Sequence, residues 1–268
     1  MMIGVTQWCL PDSGINSPAL AAQMGFGAIQ LEIGTWEKEC PLLDKHWQTD
    51  MLSQSRKHGL CILPLALNAL GGHPMTQGFH SVEGKAARDI LKAGLDTASA
   101  MGLEGITVPS FGENRIVTPE HYANTVEALQ FACAYAQALG LRVYTENVLS
   151  AQEMKQLFSD CGSDALYLLF DSQNYYHAGK NCTVDVLETL ADRIGSHVHV
   201  KAGGPDQSTC LGEGEGPFEE VMATLRDMRF EGVIVTENQY QKPAMGHADM
   251  TVGEWIRQDQ QTIRSRMA

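Results

Sequence analysis

Basic residues are scarce in this chain of 268: 19 Lys and Arg stand against 32 Asp and Glu, for a net charge of −13. Nucleic-acid backbones are gripped by clustered Lys and Arg, and here the basic residues are scattered, which argues against a nucleic-acid partner. Long apolar runs are also missing. No stretch is suited to spanning a bilayer, and the start, Met1-Met2-Ile3-Gly4-Val5-Thr6, has neither the basic nor the apolar region of a secretion signal. A cytoplasmic location with no membrane partner is the expectation. The seven cysteines, Cys9, Cys40, Cys61, Cys133, Cys161, Cys182 and Cys210, show no C-x-x-C spacing and read as reduced, mostly buried thiols. No G-x-G-x-x-G follows the first strand-like run, and Gly212-Glu213-Gly214-Glu215-Gly216 comes too late and with the wrong spacing to replace it. No Pro- or Ser-rich linker divides the chain. With 44% apolar residues it can bury a full core, so residues 1–268 are read as one domain.

What is present is a repeated joint. Met24-Gly25-Phe26-Gly27-Ala28, His58-Gly59-Leu60-Cys61, Met101-Gly102-Leu103, Leu139-Gly140-Leu141 and Phe230-Glu231-Gly232-Val233 each end a helix-like segment at a Gly suited to a left-handed cap, just before an apolar run. Helix starts are marked by Ser17-Pro18, by Thr118-Pro119 and by the capping-box pattern of Ser150 to Glu153. Helical spacing follows, as in Ala123, Val126, Leu129, Cys133 and Ala136. Strands are expected at 2–6, 28–32, 61–65, 105–109, 142–146, 166–171, 197–201 and 233–237. Eight strands alternating with helices predict a parallel sheet closed as a single (β/α)8 TIM barrel, with chemistry at the C-terminal strand ends.

Four of those ends carry a Glu, an Asp, a His and a Glu: Glu146, Asp171, His199 and Glu237. A charge closing a buried apolar strand is costly unless a metal or a partner meets it. Three carboxylates and one imidazole suit one divalent ion, with Mn²⁺ favoured and Mg²⁺, Co²⁺ or Zn²⁺ compatible. His197 and Lys201 share the face of His199 at period two. His197 is expected one layer deeper as a hydrogen-bonded core histidine, and Lys201 at the rim as a substrate contact. Trp8, Glu32, Asn68 and His73, from the earlier strands and their loops, are the expected substrate-pocket wall.

The phrases Tyr144-Thr145-Glu146-Asn147, Phe170-Asp171-Ser172-Gln173-Asn174, His197-Val198-His199-Val200-Lys201, Leu211-Gly212-Glu213-Gly214 and Val235-Thr236-Glu237-Asn238 resemble the xylose-isomerase-like sugar (phosphate) isomerase/epimerase superfamily. The resemblance runs from the first strand to the last helix. It implies that Glu146, Asp171, His199 and Glu237 hold one divalent metal, and that Glu146 and Glu237 are also the catalytic acid and base, working on a small sugar through an enediolate. Two departures leave the substrate open. Asn174 stands where ketose 3-epimerases of the family usually have a His, with His177 a turn further on, and Lys201 is followed by Ala202-Gly203-Gly204-Pro205-Asp206 in place of an acidic residue and an Arg. Asn174 is kept as a substrate contact.

The nearest rival reading is metal-assisted dehydration of a hydroxy-keto compound, which shares the enolate and differs in the group that leaves. An endonuclease of the abasic-site type would need more histidines and a basic face. A Schiff base on Lys201 would leave the carboxylates unexplained, and a non-catalytic sugar-binding barrel would leave all four ligands without a task. No sequence feature decides whether copies of the barrel assemble into a homo-oligomer.

Overall fold

A computed structural model describes residues 1–268 apart from 37–39, 83 and 205–206, so Pro205 and Asp206 of the departure after Lys201 lie outside the described residues. Its contacts divide into two compact units. The first comprises 1–30, 53–62 and 170–268, and the second 31–52 and 63–169.

In the first unit β1 (Ile3–Thr6) pairs in parallel with β2 (Ala28–Gln30) on one side and with β9 (Val233–Thr236) on the other. β2 continues to β3 (Cys61–Ile62), and β9 continues to β8 (Ile194–Val200). In the second unit β4 (Leu65–Ala66), β5 (Gly105–Pro109), β6 (Arg142–Glu146) and the first residues of β7 (Leu166–Asp171) pair in that order, again in parallel. Val, Ile and Leu fill these strands, and Val5, Ile29, Ile106, Val143, Leu168 and Ile234 are fully buried. Runs this apolar, packed on both faces, are what a parallel sheet covered by helices requires.

The expected strand at 61–65 is two short strands. Pro64, between β3 and β4, has no backbone N–H to give to a ladder, and the run breaks there. The strand expected at 28–32 ends at Gln30, with Glu32 held by a single bridge to Ala66.

The expected helix signals hold at some ends and fail at others. The helix Pro119–Leu139 is capped by the Thr118 hydroxyl, which accepts from His121 N, and it ends at Gly140, whose φ of 70° is open to glycine at little cost. Its buried face is Thr125, Ala128, Leu129, Ala132, Cys133 and Ala136; Ala123 faces solvent. The helix Ala151–Cys161 has the full Ser150–Glu153 capping box. Ser17 is the first residue of its helix (Ser17–Gln23), and Asn16 takes the cap position. Gly232 is no left-handed cap: Arg229 takes the positive φ, 55°, in that joint. Gly232 is needed because a Cβ there would stand 2.5 Å from Ser196 O.

Among the described residues no helix is long and apolar enough to cross a membrane. Four of the seven cysteines, Cys9, Cys133, Cys161 and Cys210, are buried.

Candidate active site

In the first unit the ladder that joins the strands also aligns their ends. His199 pairs with Val235 and Val200 with Thr236, and the ladder runs one step past β9 through Glu237 N donating to Val200 O at 2.9 Å. On the other side of β8, Ser172 N donates to His199 O at 3.0 Å. Asp171, His199 and Glu237 are thereby fixed as neighbours by backbone bonds alone.

Their side chains meet around the Lys201 ammonium. Lys201 Nζ lies 2.6 Å from Glu237 Oε2 and 3.2 Å from Asp171 Oδ2. Glu237 Oε1 accepts from the Trp8 indole N–H at 3.1 Å, and Glu237 Oε2 is 3.7 Å from His199 Nδ1. Asp171 is held from behind: its Oδ1 accepts from the backbone N–H groups of Gln173 at 2.8 Å and Asn174 at 2.7 Å. Burial works to raise the Glu237 carboxyl pKa, but the Lys201 ammonium, His199 and the Lys201 and Trp8 hydrogen bonds outweigh it and hold the group well below the usual carboxylate range. Burial pulls the His199 pKa down despite Glu237 and Asp171, and pulls His197 down further, so both rings are neutral near pH 7.

Gln30 settles which nitrogen of each ring bears the proton. Its Oε1 can only accept, and it is 2.7 Å from His199 Nε2; the ring therefore donates from Nε2, which leaves the lone pair on Nδ1, the atom nearest Glu237. The Gln30 amide N–H donates to His197 Nε2 at 3.2 Å, so His197 carries its own proton on Nδ1. His197 is thus the hydrogen-bonded core histidine expected, fully buried one layer below.

A cavity of about 560 Å³ opens over this cluster, lined in part by Trp8, His177, Lys201, Glu237, Gln239 and Gln241. His177, and not Asn174, stands in its wall, with Nε2 3.0 Å from Gly203 O. The loop after β8 is braced by a buried acid that the local sequence does not mark out. Asp259 accepts from Leu211 N at 2.8 Å, from Asn238 Nδ2 at 2.8 Å and from the Tyr240 hydroxyl at 2.8 Å, while Asn238 Oδ1 accepts from Ala202 N at 2.9 Å. Burial, the largest influence, pushes Asp259 up to about 6 against those three bonds.

In the second unit Glu146 is the last residue of β6 and is buried. Its carbonyl accepts from Ser110 N at 2.8 Å, which extends the β5–β6 ladder. Three more of the expected wall residues come together here. Asn68 Nδ2 donates to Glu32 Oε2 at 3.0 Å, and Glu32, Thr35, Trp36, Asn68 and His73 line a cavity of about 200 Å³. Burial raises the Glu32 pKa, with the Asn68 bond opposing it.

The donors in the first unit fit a divalent ion. Two carboxylates and one ammonium leave a net charge of −1 beside a neutral imidazole whose lone pair faces them, and a cation, the Lys201 ammonium, already rests between the two carboxylates. The model for the xylose isomerase-like TIM barrel matches residues 18–266. The chain belongs to the xylose isomerase-like TIM-barrel family. It is 30% identical over 267 residues, 95% of its own length and 93% of the relative, to the 2-epi-5-epi-valiolone 7-phosphate 2-epimerase of Actinoplanes sp.. Among solved structures of the fold it is similar to D-psicose 3-epimerase in the presence of D-fructose, with a TM-score of 0.77 at 15% identity over 100% of this chain and 99% of that one. It is also similar to an IOLI protein with a zinc atom bound, with a TM-score of 0.75 at 17% identity over 100% and 98% of the two chains. Within this xylose isomerase-like family the chain is an enzyme of the sugar isomerase and epimerase class.

Proposed function

We propose that the protein is a divalent-metal-dependent epimerase that inverts a carbon next to the carbonyl of a polyhydroxylated ketone, a sugar or a cyclitol-like sugar derivative. The observation that carries the reading is the convergence of Asp171, His199 Nδ1 and Glu237 in the first unit, with Glu237 and Lys201 of that cluster in the wall of the 560 Å³ cavity. Glu146, closing β6, is the fourth member of the ligand set, as its strand position and the family resemblance both suggest. The valiolone phosphate epimerase supports a carbon-centred inversion, and the zinc in the IOLI structure supports a metal of this charge type.

The side chains then divide the work. Glu146 and Glu237 flank the substrate, one removing the proton from the carbon between carbonyl and hydroxyl, the other returning a proton to the opposite face. Glu237 starts ionised in the resting protein, because Lys201 and Trp8 hold it so. Trp8 and His177 supply the cavity wall against which an apolar sugar face can rest. Lys201 keeps the carboxylates from repelling one another, and its ammonium, in the cavity wall, is within reach of a substrate oxygen. A bound divalent ion would supply Lewis-acid polarisation of the substrate carbonyl and hydroxyl oxygens, stabilising the enediolate charge.

The test is incorporation of solvent deuterium into a panel of ketoses, cyclitol ketones and their phosphates, with and without EDTA. Exchange at one carbon with inversion, lost in EDTA, is the expected result. Loss of water without inversion would make the protein a dehydratase, and exchange indifferent to EDTA would remove the metal from the account.

A further inference from the structure

The loops after β8 and β9 carry a second group of metal donors, chemically unlike the first. Glu213 N donates to Cys210 O at 3.0 Å, and Met250 N donates to His247 O at 3.1 Å. Each bond closes a single turn, Cys210-Leu211-Gly212-Glu213 and His247-Ala248-Asp249-Met250, so that the first and last side chains of each come together. The turns face one another: His247 Nε2 is 2.6 Å from Glu213 Oε2, and Cys210 Sγ is 3.9 Å from Met250 Sδ. One donor atom from each of Cys210, Glu213 and His247 lies within 4.8 Å of the other two.

Two sulfur donors bonded at about 2.3 Å to a tetrahedral ion stand roughly 3.8 Å apart, so the two sulfurs already have a suitable separation. The thiol is fully buried, while Glu213 and His247 remain partly open to solvent and give an ion a way in.

We propose that Cys210, Glu213 and His247, with Met250 as a fourth donor, form a binding site for a thiophilic ion of the Zn²⁺ or Cu⁺ class. Ligation replaces the Cys210 S–H bond by a sulfur–metal bond and releases the proton to solvent. The ion would clasp two loops already joined by Met245 N to Ser208 O at 2.8 Å and by Thr209 Oγ1 to Met245 O at 3.0 Å. Those loops supply Ser208, Gln239 and Gln241 to the 560 Å³ cavity, so the clasp would stiffen its wall.

The experiment uses the full chain carrying Glu146→Gln and Glu237→Gln, which weakens the oxygen-rich site, titrated with Co²⁺ as a spectroscopic probe. A near-ultraviolet thiolate-to-cobalt charge-transfer band of one equivalent is expected, because of the two donor sets found among the described residues only this one includes a thiol. Cys210→Ser should abolish the band, and the surface change His247→Ala should weaken the affinity on the order of 10-fold or more without unfolding. A parallel titration with Cu⁺ against a chromogenic chelator, in wild type and Met250→Leu, tests the fourth donor: loss of retention in Met250→Leu keeps Met250 in the set and assigns Cu⁺, and unchanged behaviour overturns Met250 as a donor and leaves Cys210, Glu213 and His247 to an ion of the Zn²⁺ class. Cobalt binding without the charge-transfer band, or a band indifferent to both Cys210→Ser and His247→Ala, would overturn the site.

Discussion

Gln30 Oε1 lies 2.7 Å from His199 Nε2, and this one contact decides the face that His199 turns toward the carboxylates. An amide oxygen cannot donate, so the imidazole proton is on Nε2 and the lone pair is on Nδ1, beside Glu237. Outer contacts of this type typically govern 10- to 100-fold in metal affinity. Gln30→Leu should therefore weaken divalent-metal binding by about that factor, while Gln30→Glu, which keeps an acceptor at the ring, should retain more of it. Nitrogen-15 NMR of the metal-free protein gives an independent check. His199 should appear as the Nε2–H tautomer, and an Nδ1–H signal would show that the amide is turned the other way.

Glu146→Gln and Glu237→Gln should each lower proton exchange by roughly 10²- to 10⁴-fold, the usual contribution of a positioned acid or base. The fold should survive, since each change swaps a carboxylate for an amide of the same shape, at the last residue of β6 and just after β9. Circular dichroism and the exchange rate together make the check, and wild-type turnover in either variant would remove that residue from the acid–base pair.

The two histidines should separate by property. His199→Ala should cost metal affinity, because its Nδ1 faces the carboxylates, whereas His197→Ala should cost stability, by roughly 1–3 kcal/mol, since it strips the Gln30 amide of a buried acceptor. Metal titration and urea unfolding of both variants measure the two effects, and the opposite ordering would mean that His197 is the ligand.

Asp259 gives a pH dependence of stability with a definite sign. Its pKa is raised from 3.8 to about 6 in the fold, so between those values the native state binds more protons than the unfolded state. Stability should fall as pH rises from about 4 to 6 and level off above, with a contribution of roughly 3 kcal/mol at most. Asp259→Asn should flatten that slope in urea midpoints measured at intervals across the window. An unchanged slope would show that the carboxyl is not held protonated.

The strand ends were legible because a charge closing a Val- and Ile-rich run is conspicuous, and Glu146, Asp171 and His199 stand on the strands expected for them. The local chemistry of helix starts and stops was legible for the same reason, as Thr118, Ser150 and Gly140 show. Gln30 was not. In Ala28-Ile29-Gln30-Leu31-Glu32 an amide looks like an outward-facing polar residue, and only the pairing of β2, β1, β9 and β8 brings it to histidines 167 and 169 positions away. The spacing Gln30 to Glu32, period two on the same run, was the available hint. Asp259 escaped for a similar reason: on the helix Val252–Met267 it reads as one more surface acid, and its partners come from two distant loops. His177 was seen as a displaced histidine, and its place in the cavity wall depends on a short helix at 174–177 that local spacing does not specify.

The central claim is that Glu146, Asp171, His199 and Glu237 together hold one divalent ion that the reaction needs. Metal analysis of the purified protein, alongside the Glu146→Gln/Glu237→Gln variant and after reconstitution with Mn²⁺, tests it most directly. The account predicts about one equivalent bound to the oxygen-rich site, lost in the double variant, with deuterium exchange rising in step with occupancy. Equal metal in both proteins, or full exchange activity in metal-free protein, would contradict it.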